Sequence, residues 1–248
     1  MPLSLEAVRQ EFDAALAGAE PGIEAANELC AACVGLLGID GAAMSMVHEG
    51  APWWTVGSSS ETSRRLDEYQ FTFGEGPCLD AVATRGAVLV PDLDAPREQR
   101  WPAFTGAVLD DGIRGVFALP IMVTSDCVGA LDHFRAAPGP LRGVQLAGAL
   151  LAAEMATQPL VTMLGDRGDQ DSSGESAARL LEMDRIEVYQ ATGMLIAQLD
   201  VDAEDALLRL RAHAVATDQT ASQVAWAILE RGLRLERDHD GGPGRSER

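Results

Sequence analysis

Apolar residues in the last third of the chain recur at steps of three and four, the spacing of one buried face of a helix. In the first predicted helix, residues 177–199, this apolar stripe consists of Val188, Ala191, Leu195 and Leu199. A second helix is predicted to begin after Asp202, and a third after Thr220, which forms a capping-box pattern with Gln223. Helices this short are not stable alone, so we predict that residues 177–238 fold as a three-helix bundle.

The first two thirds of the chain combines predicted strands with predicted helices. Strands are predicted at residues 42–47, 53–56, 87–90, 116–123 and 128–134. Helices are predicted at residues 4–18, 23–37, 60–70, 78–83, 101–109 and 141–164. Because helices flank the strands at both ends, we predict an α+β domain over residues 1–164, an antiparallel sheet covered by helices. Residues 165–176, rich in Gly, Ser and Asp, are predicted to be a linker, and residues 239–248 a disordered tail.

Composition and charge exclude several classes of protein. The 248 residues are 47% hydrophobic, enough for a substantial core. All 19 basic residues are arginines, and the absence of lysine excludes phosphate-loop NTPases and Schiff-base enzymes. The net charge of −19 opposes strong, constitutive binding to RNA and to anionic membranes. Any contact with RNA must therefore use a local patch of arginines.

The four cysteines are too few for a disulfide scaffold. Cys30 and Cys33 have a C-x-x-C spacing, but without a second pair or a nearby histidine the pattern favours packing in the core over a metal site. No metal or cofactor is predicted. The N-terminus lacks the pattern of a signal peptide, and the longest uncharged apolar run, residues 146–153, is too short to cross a bilayer. We expect a cytoplasmic protein that does not associate with membranes.

A glycine-rich turn in the predicted sheet domain contains the segment GEGPCLDAV, residues 74–82. Its Cys78 falls in the first turn of a helix, where oriented N–H groups favour a thiolate. The residue is either a redox-sensing or catalytic thiol or a small packing residue in a tight turn. Further motifs are VPD at 90–92, RWPAF at 100–104, ALP at 118–120 and VGAL at 128–131.

Together these motifs resemble the GAF domain of actinobacterial GAF–ANTAR regulators. The resemblance implies a sensory module with a ligand pocket between the sheet and its covering loops. Its signal would be an unknown small molecule or a redox state. The candidate pocket residues are Trp54, Cys78, Asp92, Trp101 and Phe104. The alternative is that the three aromatic residues belong to the core and that Asp92 is a solvated loop residue.

The predicted three-helix bundle resembles the ANTAR domain, the RNA-binding module of transcription antitermination regulators. The signature of that family's first helix is matched by Arg185, Val188, Gln190, Ala191, Gly193, Met194 and Leu195. The second-helix pattern is matched by Ala206, Leu210, Arg211 and Ala214, and the third by Val224 and Ala225. One position departs from the signature, since its lysine is Thr192 in this chain.

The ANTAR resemblance implies which residues of the bundle meet RNA. Arg185, Arg209 and Arg211 are candidate phosphate or base contacts, and Gln190 is a candidate hydrogen-bonding reader. Gly193 lies inside a helix, where it is unfavourable, so we expect another backbone or RNA to approach it closely. A lysine in place of Thr192 is expected to strengthen RNA binding. The alternative for the arginines is that they are solvated surface charges.

Three functions are compatible with these patterns. The first is a homodimeric, non-enzymatic regulator whose GAF domain controls an ANTAR domain that binds a structured RNA hairpin in a nascent transcript. The second is a GAF sensor whose acidic bundle binds another protein instead of RNA. The third is a GAF-type free-methionine-sulfoxide reductase that uses Cys78 and Cys127, although the cysteine spacing of those enzymes is not reproduced.

Overall fold

A computed structural model describes residues 4–48, 51–165 and 185–235. The chain divides into two compact units, Met1–Asp184 and Arg185–Arg248. Residue 165 ends a helix of the first unit, and the rest of the predicted linker lies outside the described residues. The predicted tail and the beginning of the predicted helix at 177 also lie outside them.

The first unit is built on a five-stranded sheet in the order β2-β1-β5-β4-β3. All four neighbouring pairs of strands are antiparallel, which confirms the predicted α+β class. Each predicted strand is present and differs from its predicted bounds by a few residues at most. The strands are β1 (Gly41–His48), β2 (Ala51–Ser58), β3 (Val88–Val90), β4 (Gly115–Val123) and β5 (Asp126–Arg135).

Seven helices accompany the sheet in the described part of the first unit. They are α1 (Leu5–Ala17), α2 (Ile23–Leu37), α3 (Glu61–Phe73), α4 (Pro77–Thr84), α5 (Pro102–Asp110), α6 (Val144–Met155) and α7 (Thr157–Gly165). The single helix predicted at residues 141–164 is wrong, because α6 ends before Ala156 and α7 begins after it. Pro159, in the first turn of α7, has no N–H to continue the hydrogen bonding of α6, so the chain starts a new helix there.

Side chains alternate across the sheet and create two different layers. One layer is a large apolar core shared with α1, α2, α6 and α7, into which strand residues such as Met44, Leu119 and Leu131 project. Helices α3, α4 and α5 contact the strands or one another in the second layer. That layer contains a smaller apolar cluster with Leu66 and Phe134. The second layer is not apolar throughout, and its polar part is the candidate site.

The stretch Val144–Met163 is long and apolar enough to cross a membrane, judged by length and composition alone. It corresponds to α6 and most of α7. Residues of α6 such as Ala149, Leu151 and Ala152 are buried in the large core. Because core helices of soluble proteins meet the same criterion, the stretch is accounted for by its packing on the sheet.

The second unit contains three helices in its described residues. They are α8 (Ile186–Leu199), α9 (Ala203–Ala216) and α10 (Ala221–Arg231). The predicted caps are present: Asp202 accepts the Asp205 N–H, and Thr220 and Gln223 form a reciprocal capping box. The apolar stripe predicted for the first helix is buried, with Val188, Ala191, Leu195 and Leu199 facing inward.

Candidate functional site

A group of buried polar side chains lies between the sheet and helices α3 and α4, and we call it the polar cluster. Its members are Ser45 on β1, Thr55 on β2, Asp67 and Gln70 on α3, Cys78 on α4 and Asp132 on β5. All six are buried. Burying carboxylates and amides is unfavourable unless other groups pair with them, so the contacts within this cluster determine its chemistry.

Asp67 accepts hydrogen bonds from two hydroxyl groups of the sheet. The Ser45 Oγ donates to Asp67 Oδ1 at 2.6 Å, and the Thr55 Oγ1 donates to Asp67 Oδ2. Ser45 and Thr55 are register partners on β1 and β2, which places both hydroxyls on the same side of the sheet. The carboxylate of Asp67 is therefore fixed by groups on two different strands.

The carboxamide of Gln70 connects the carboxyl group of Asp132 to the backbone of Cys78. Its Nε2 donates to Asp132 Oδ2, and its Oε1 accepts the backbone N–H of Cys78 at 2.7 Å. Gly76 makes this arrangement possible. A Cβ at that position would lie 2.5 Å from Gln70 Oε1, and its φ of +146° disfavours any side chain.

Asp132 has an unusual electrostatic environment. Burial raises its pKa well above the ordinary value, the neighbouring Asp67 raises it further, and the hydrogen bond from Gln70 opposes these two effects. Its second oxygen, Oδ1, has no hydrogen-bond partner among the described residues. The neutral acid is thus favoured at Asp132, and one of its oxygens remains available for a further contact.

Cys78 lies beside both carboxyl groups, and the ligand atoms of Asp67, Cys78 and Asp132 are all within 4.8 Å of one another. Cys78 also packs against Val82 and Ala130, in a small cluster that Cys127 joins. Burial raises the pKa of Cys127. The structure thus places the Cys78 sulfur beside two carboxyl groups and an apolar cluster, with Cys127 near it, and both interpretations of Cys78, a reactive thiol and a packing residue, stay predictions.

The other predicted pocket residues do not join the polar cluster. Trp101 and Phe104 are buried in the adjacent apolar cluster, so the core interpretation applies to both. Trp54 was wrongly grouped with them. Because side chains alternate along β2, Trp54 projects into the large core on the face opposite Thr55.

Asp92 is bound to an arginine rather than directed into a pocket. Its two carboxylate oxygens accept from Arg114 Nε and Nη2, each at 2.9 Å. This bidentate pair joins the loop after β3 to the residue before β4. The pair holds the loop, and the role of Asp92 as a polar anchor for a ligand stays a prediction.

The predicted RNA contacts of the second unit differ widely in exposure. Arg185 is only 3% exposed, whereas Gln190 and Gly193 are exposed on α8. Arg211 is partly buried beside Arg185 and Tyr189. Burial lowers the pKa of its guanidinium, the charge of Arg185 lowers it further, and Tyr189 raises it. Arg211 is therefore close enough to Arg185 and Tyr189 for electrostatic interaction with both.

Two expectations about α8 need correction. Thr192 is only 8% exposed, and its hydroxyl donates to the Val188 carbonyl at 2.7 Å. Position 192 thus points into the unit, and a lysine there would start from a buried position rather than from the RNA-facing surface. No described residue approaches Gly193, since a Cβ there would have nothing within 4 Å. The close approach expected at Gly193 is not made by the described part of this chain.

Tyr189, Gln190, Gly193 and Met194 together form an exposed face of α8, which we call the α8 face. Tyr189 was missed in the sequence, although it is one of only two tyrosines and adjoins Gln190. Arg209 lies elsewhere. It lines a groove with residues such as Leu208, His213 and Leu235, and it is two residues from Arg211, so the two arginines point in different directions on α9.

Comparison with known proteins bears on the first unit. No family model and no curated protein matches the chain. A GAF domain from a phosphoenolpyruvate-protein phosphotransferase of Coxiella burnetii matches with a TM-score of 0.51 and 14% identity, covering 65% of this chain and 93% of that one. The first unit has the GAF fold. The sequence-based prediction of that fold is confirmed.

Two further solved structures are similar to the GAF domain of this chain. The GAF domain of an Acinetobacter phosphoenolpyruvate-protein phosphotransferase has a TM-score of 0.48 and 11% identity, with 65% of this chain and 94% of that chain covered. The fRMsr of Staphylococcus aureus, in its reduced form, has a TM-score of 0.49 and 12% identity, with 64% and 96% covered.

Proposed function

We propose that this chain is a signal-responsive regulator in which the GAF domain controls an ANTAR-type C-terminal unit that binds structured RNA and causes transcription antitermination. The observation that carries the proposal is the α8 face. It contains Gln190 and Gly193 of the ANTAR-like signature, exposed beside Tyr189. A homodimer and a nascent RNA hairpin are the partners that belong to this proposal.

The α8 face carries side chains that can bind the unpaired bases of an RNA loop. A half-exposed aromatic ring such as Tyr189 can stack on an unpaired base, and the Gln190 amide can both donate to and accept from a base edge. The open space above Gly193 allows a sugar or a base to approach the helix backbone. The Arg211 guanidinium interacts with Tyr189, although burial and the neighbouring Arg185 lower its pKa.

The net charge sets the kind of RNA binding that is expected. A chain with a net charge of −19 repels a phosphate backbone everywhere except near a local cluster of arginines. Binding should therefore depend on unpaired bases in a defined loop more than on total phosphate charge. A low affinity for phosphate together with binding through unpaired bases favours conditional binding, with little affinity for most cellular RNA.

The proposal is tested by gel mobility shift of a tandem stem-loop RNA with the full-length chain. Tyr189→Ala should weaken binding by about five- to hundredfold, since stacking on one base contributes about 1–3 kcal/mol. Trp226→Ala is a matched control, because Trp226 on α10 and Tyr189 are both 49% exposed. The control should bind as the wild type does. No shift with the wild-type chain at low salt would refute the proposal.

A second candidate function, docking of the C-terminal unit on a protein, is favoured by apolar side chains exposed on all three helices. Leu208 is 62% exposed, and Met194, Val215 and Trp226 are each about half exposed. In that case the RNA shift would be absent. Leu208→Glu, unlike Tyr189→Ala, would then change the mass of the complexes that light scattering detects, including any homodimer.

We propose that the GAF domain senses its signal and does not turn over a substrate. Cys78 is fully buried, so a substrate has no access to its sulfur, and burial raises the pKa of Cys127, which disfavours the thiolate that a sulfoxide reductase needs. Oxidation of thiols in the presence of free methionine sulfoxide, lost in Cys78→Ser, would instead support the reductase alternative.

A further inference from the structure

Three side chains of the polar cluster offer one sulfur and two carboxyl groups to a single point. The ligand atoms of Asp67, Cys78 and Asp132 lie within 4.8 Å of one another. We infer that the polar cluster binds one divalent transition-metal ion through these three side chains. The inference concerns the GAF domain alone and does not depend on what the C-terminal unit binds.

The dimensions of the group suit a single ion better than an organic ligand. Metal bonds of about 2.0–2.3 Å place tetrahedral donor atoms about 3.5 Å apart, so a small movement of the three side chains would close the site. All three residues are buried, with exposures of 0–2%. A monatomic ion needs no cavity of the size that a nucleotide or an amino acid would occupy.

The donor atoms select the class of metal. Magnesium and calcium prefer sites made entirely of oxygen ligands, and a cysteine sulfur does not belong to such a site. One sulfur with two carboxylate oxygens is a mixed set that suits borderline ions such as Zn²⁺ or Fe²⁺. Three protein ligands also leave a coordination position open for a small molecule or water.

The free oxygen of Asp132 is an independent indication of a ligand. Asp132 Oδ1 is buried and has no hydrogen-bond partner among the described residues, a state that is ordinarily unfavourable. Its other oxygen is already held by Gln70. A cation next to Asp67 and Cys78 would give Oδ1 a partner.

The surrounding residues orient the three ligands as supporting groups do in metal sites. Ser45 and Thr55 hold both oxygens of Asp67, and Gln70 joins Asp132 to the backbone of Cys78. The carboxyl groups of Asp67 and Asp132 are thus oriented by hydrogen bonds, and the backbone N–H of Cys78 is held by Gln70.

The test is titration with Co²⁺ of the full-length, untagged chain, reduced and freed of metal by a chelator that is then removed. We expect one equivalent to bind, with a thiolate-to-cobalt charge-transfer absorption that Zn²⁺ abolishes by displacement. Cys78→Ser should remove this absorption. Cys33→Ser, a change to a buried cysteine in the large core on the other face of the sheet, should leave it intact.

Asp132→Asn provides a second variant that keeps the shape of the side chain. It should weaken the affinity for Co²⁺ by at least about tenfold, since even residues that only support ligands change metal affinity by about 10–100-fold. If Cys78→Ser fails to fold, Asp132→Asn tests the metal site in its place. The inference is overturned if the wild type shows no charge-transfer absorption, if the absorption survives in Cys78→Ser, or if folded Asp132→Asn binds Co²⁺ as tightly as the wild type.

Discussion

Two neighbouring residues of β5, Asp132 and His133, are buried on opposite faces of the sheet. Asp132 belongs to the polar cluster, whereas His133 points toward the layer that contains the large apolar core. Burial lowers the pKa of His133 to about 4, so the imidazole is neutral in the folded protein at neutral pH. Burial disfavours the charged form of both side chains, because the interior solvates a charge less well than water does.

His133 should make the GAF domain sensitive to acid. The unfolded chain binds a proton on this histidine near pH 6.5, while the folded protein resists it until about pH 4. Between these values the unfolded state holds more protons, so the free energy of unfolding falls as the pH falls, by about 2 kcal/mol from pH 7 to pH 5. Urea unfolding at the two pH values, in chelator, measures the total pH dependence, to which the raised pKa of Asp132 contributes with the opposite sign, so the His133 share is obtained by comparison with a variant.

His133→Leu is the matching variant, since leucine has a similar volume and no titratable group. Its free energy of unfolding should change less between pH 7 and pH 5 than that of the wild type, by about the 2 kcal/mol assigned to His133. Equal pH dependence in the two proteins would show that His133 does not carry the effect.

Gly193 is the residue at which stability and the proposed function should oppose each other. A helical glycine with open space around it is unfavourable, so Gly193→Ala should raise the free energy of unfolding of the C-terminal unit by about 1 kcal/mol. Gly193→Leu should stabilise the helix similarly but obstruct the α8 face and weaken RNA binding. If Gly193→Leu is stabilised and still binds RNA as the wild type does, the α8 face is not the RNA-binding surface.

At the scale of elements, α5 is capped by a residue far away in sequence. The helix begins after Trp101, whose side chain makes no capping hydrogen bond. Glu75, in the loop between α3 and α4, accepts the N–H groups of Ala103 and Phe104 at 2.7 and 3.0 Å. This carboxylate also benefits from the positive end of the helix dipole, and it fixes the loop that carries Gly76 and leads into α4.

Glu75→Ala should therefore destabilise the GAF domain by about 1 kcal/mol, because two N–H groups at the start of α5 lose their acceptor. Thermal unfolding measures the effect. Glu28→Ala, at an exposed position of α2, is the control and should change the stability by less than about 0.5 kcal/mol. A loss in Glu75→Ala no larger than that of the control would contradict the capping role.

Local patterns were sufficient to predict most elements but not the site. The strands, the buried stripe of α8 and the caps at Asp202 and Thr220 follow from short-range periodicity and capping chemistry. The break near Ala156 was missed because an apolar run hides the effect of Pro159. The cap from Glu75 was missed because its partners lie 28 and 29 residues away.

The polar cluster could not be predicted from the sequence, because its residues lie on separate elements that only the strand order and α3 bring together. Ser45, Asp67 and Asp132 meet only because β1 lies between β2 and β5 and because α3 crosses this part of the sheet. One signal was present: Ser45 lies between two methionines in β1, and Asp132 follows an apolar run in β5. Asp67 gave no such signal, since α3 has the polar composition of a surface helix.

At the scale of the whole molecule, two compact units are joined through a segment outside the described residues. One unit has the GAF fold and a preorganised polar cluster. The other carries an exposed aromatic and polar face within an acidic chain of net charge −19. A regulator needs both properties, a site that responds to a signal and a surface whose affinity for its target is modest enough to be switched.

The most direct measurement is read-through in single-round transcription across a terminator that overlaps a tandem stem-loop. Read-through should rise with the concentration of the wild-type chain, and Tyr189→Ala should require a several-fold higher concentration, whereas Trp226→Ala should not. Read-through that stays at its basal value, at protein concentrations that saturate the stem-loop RNA in a mobility-shift assay, would contradict antitermination as the function of this chain.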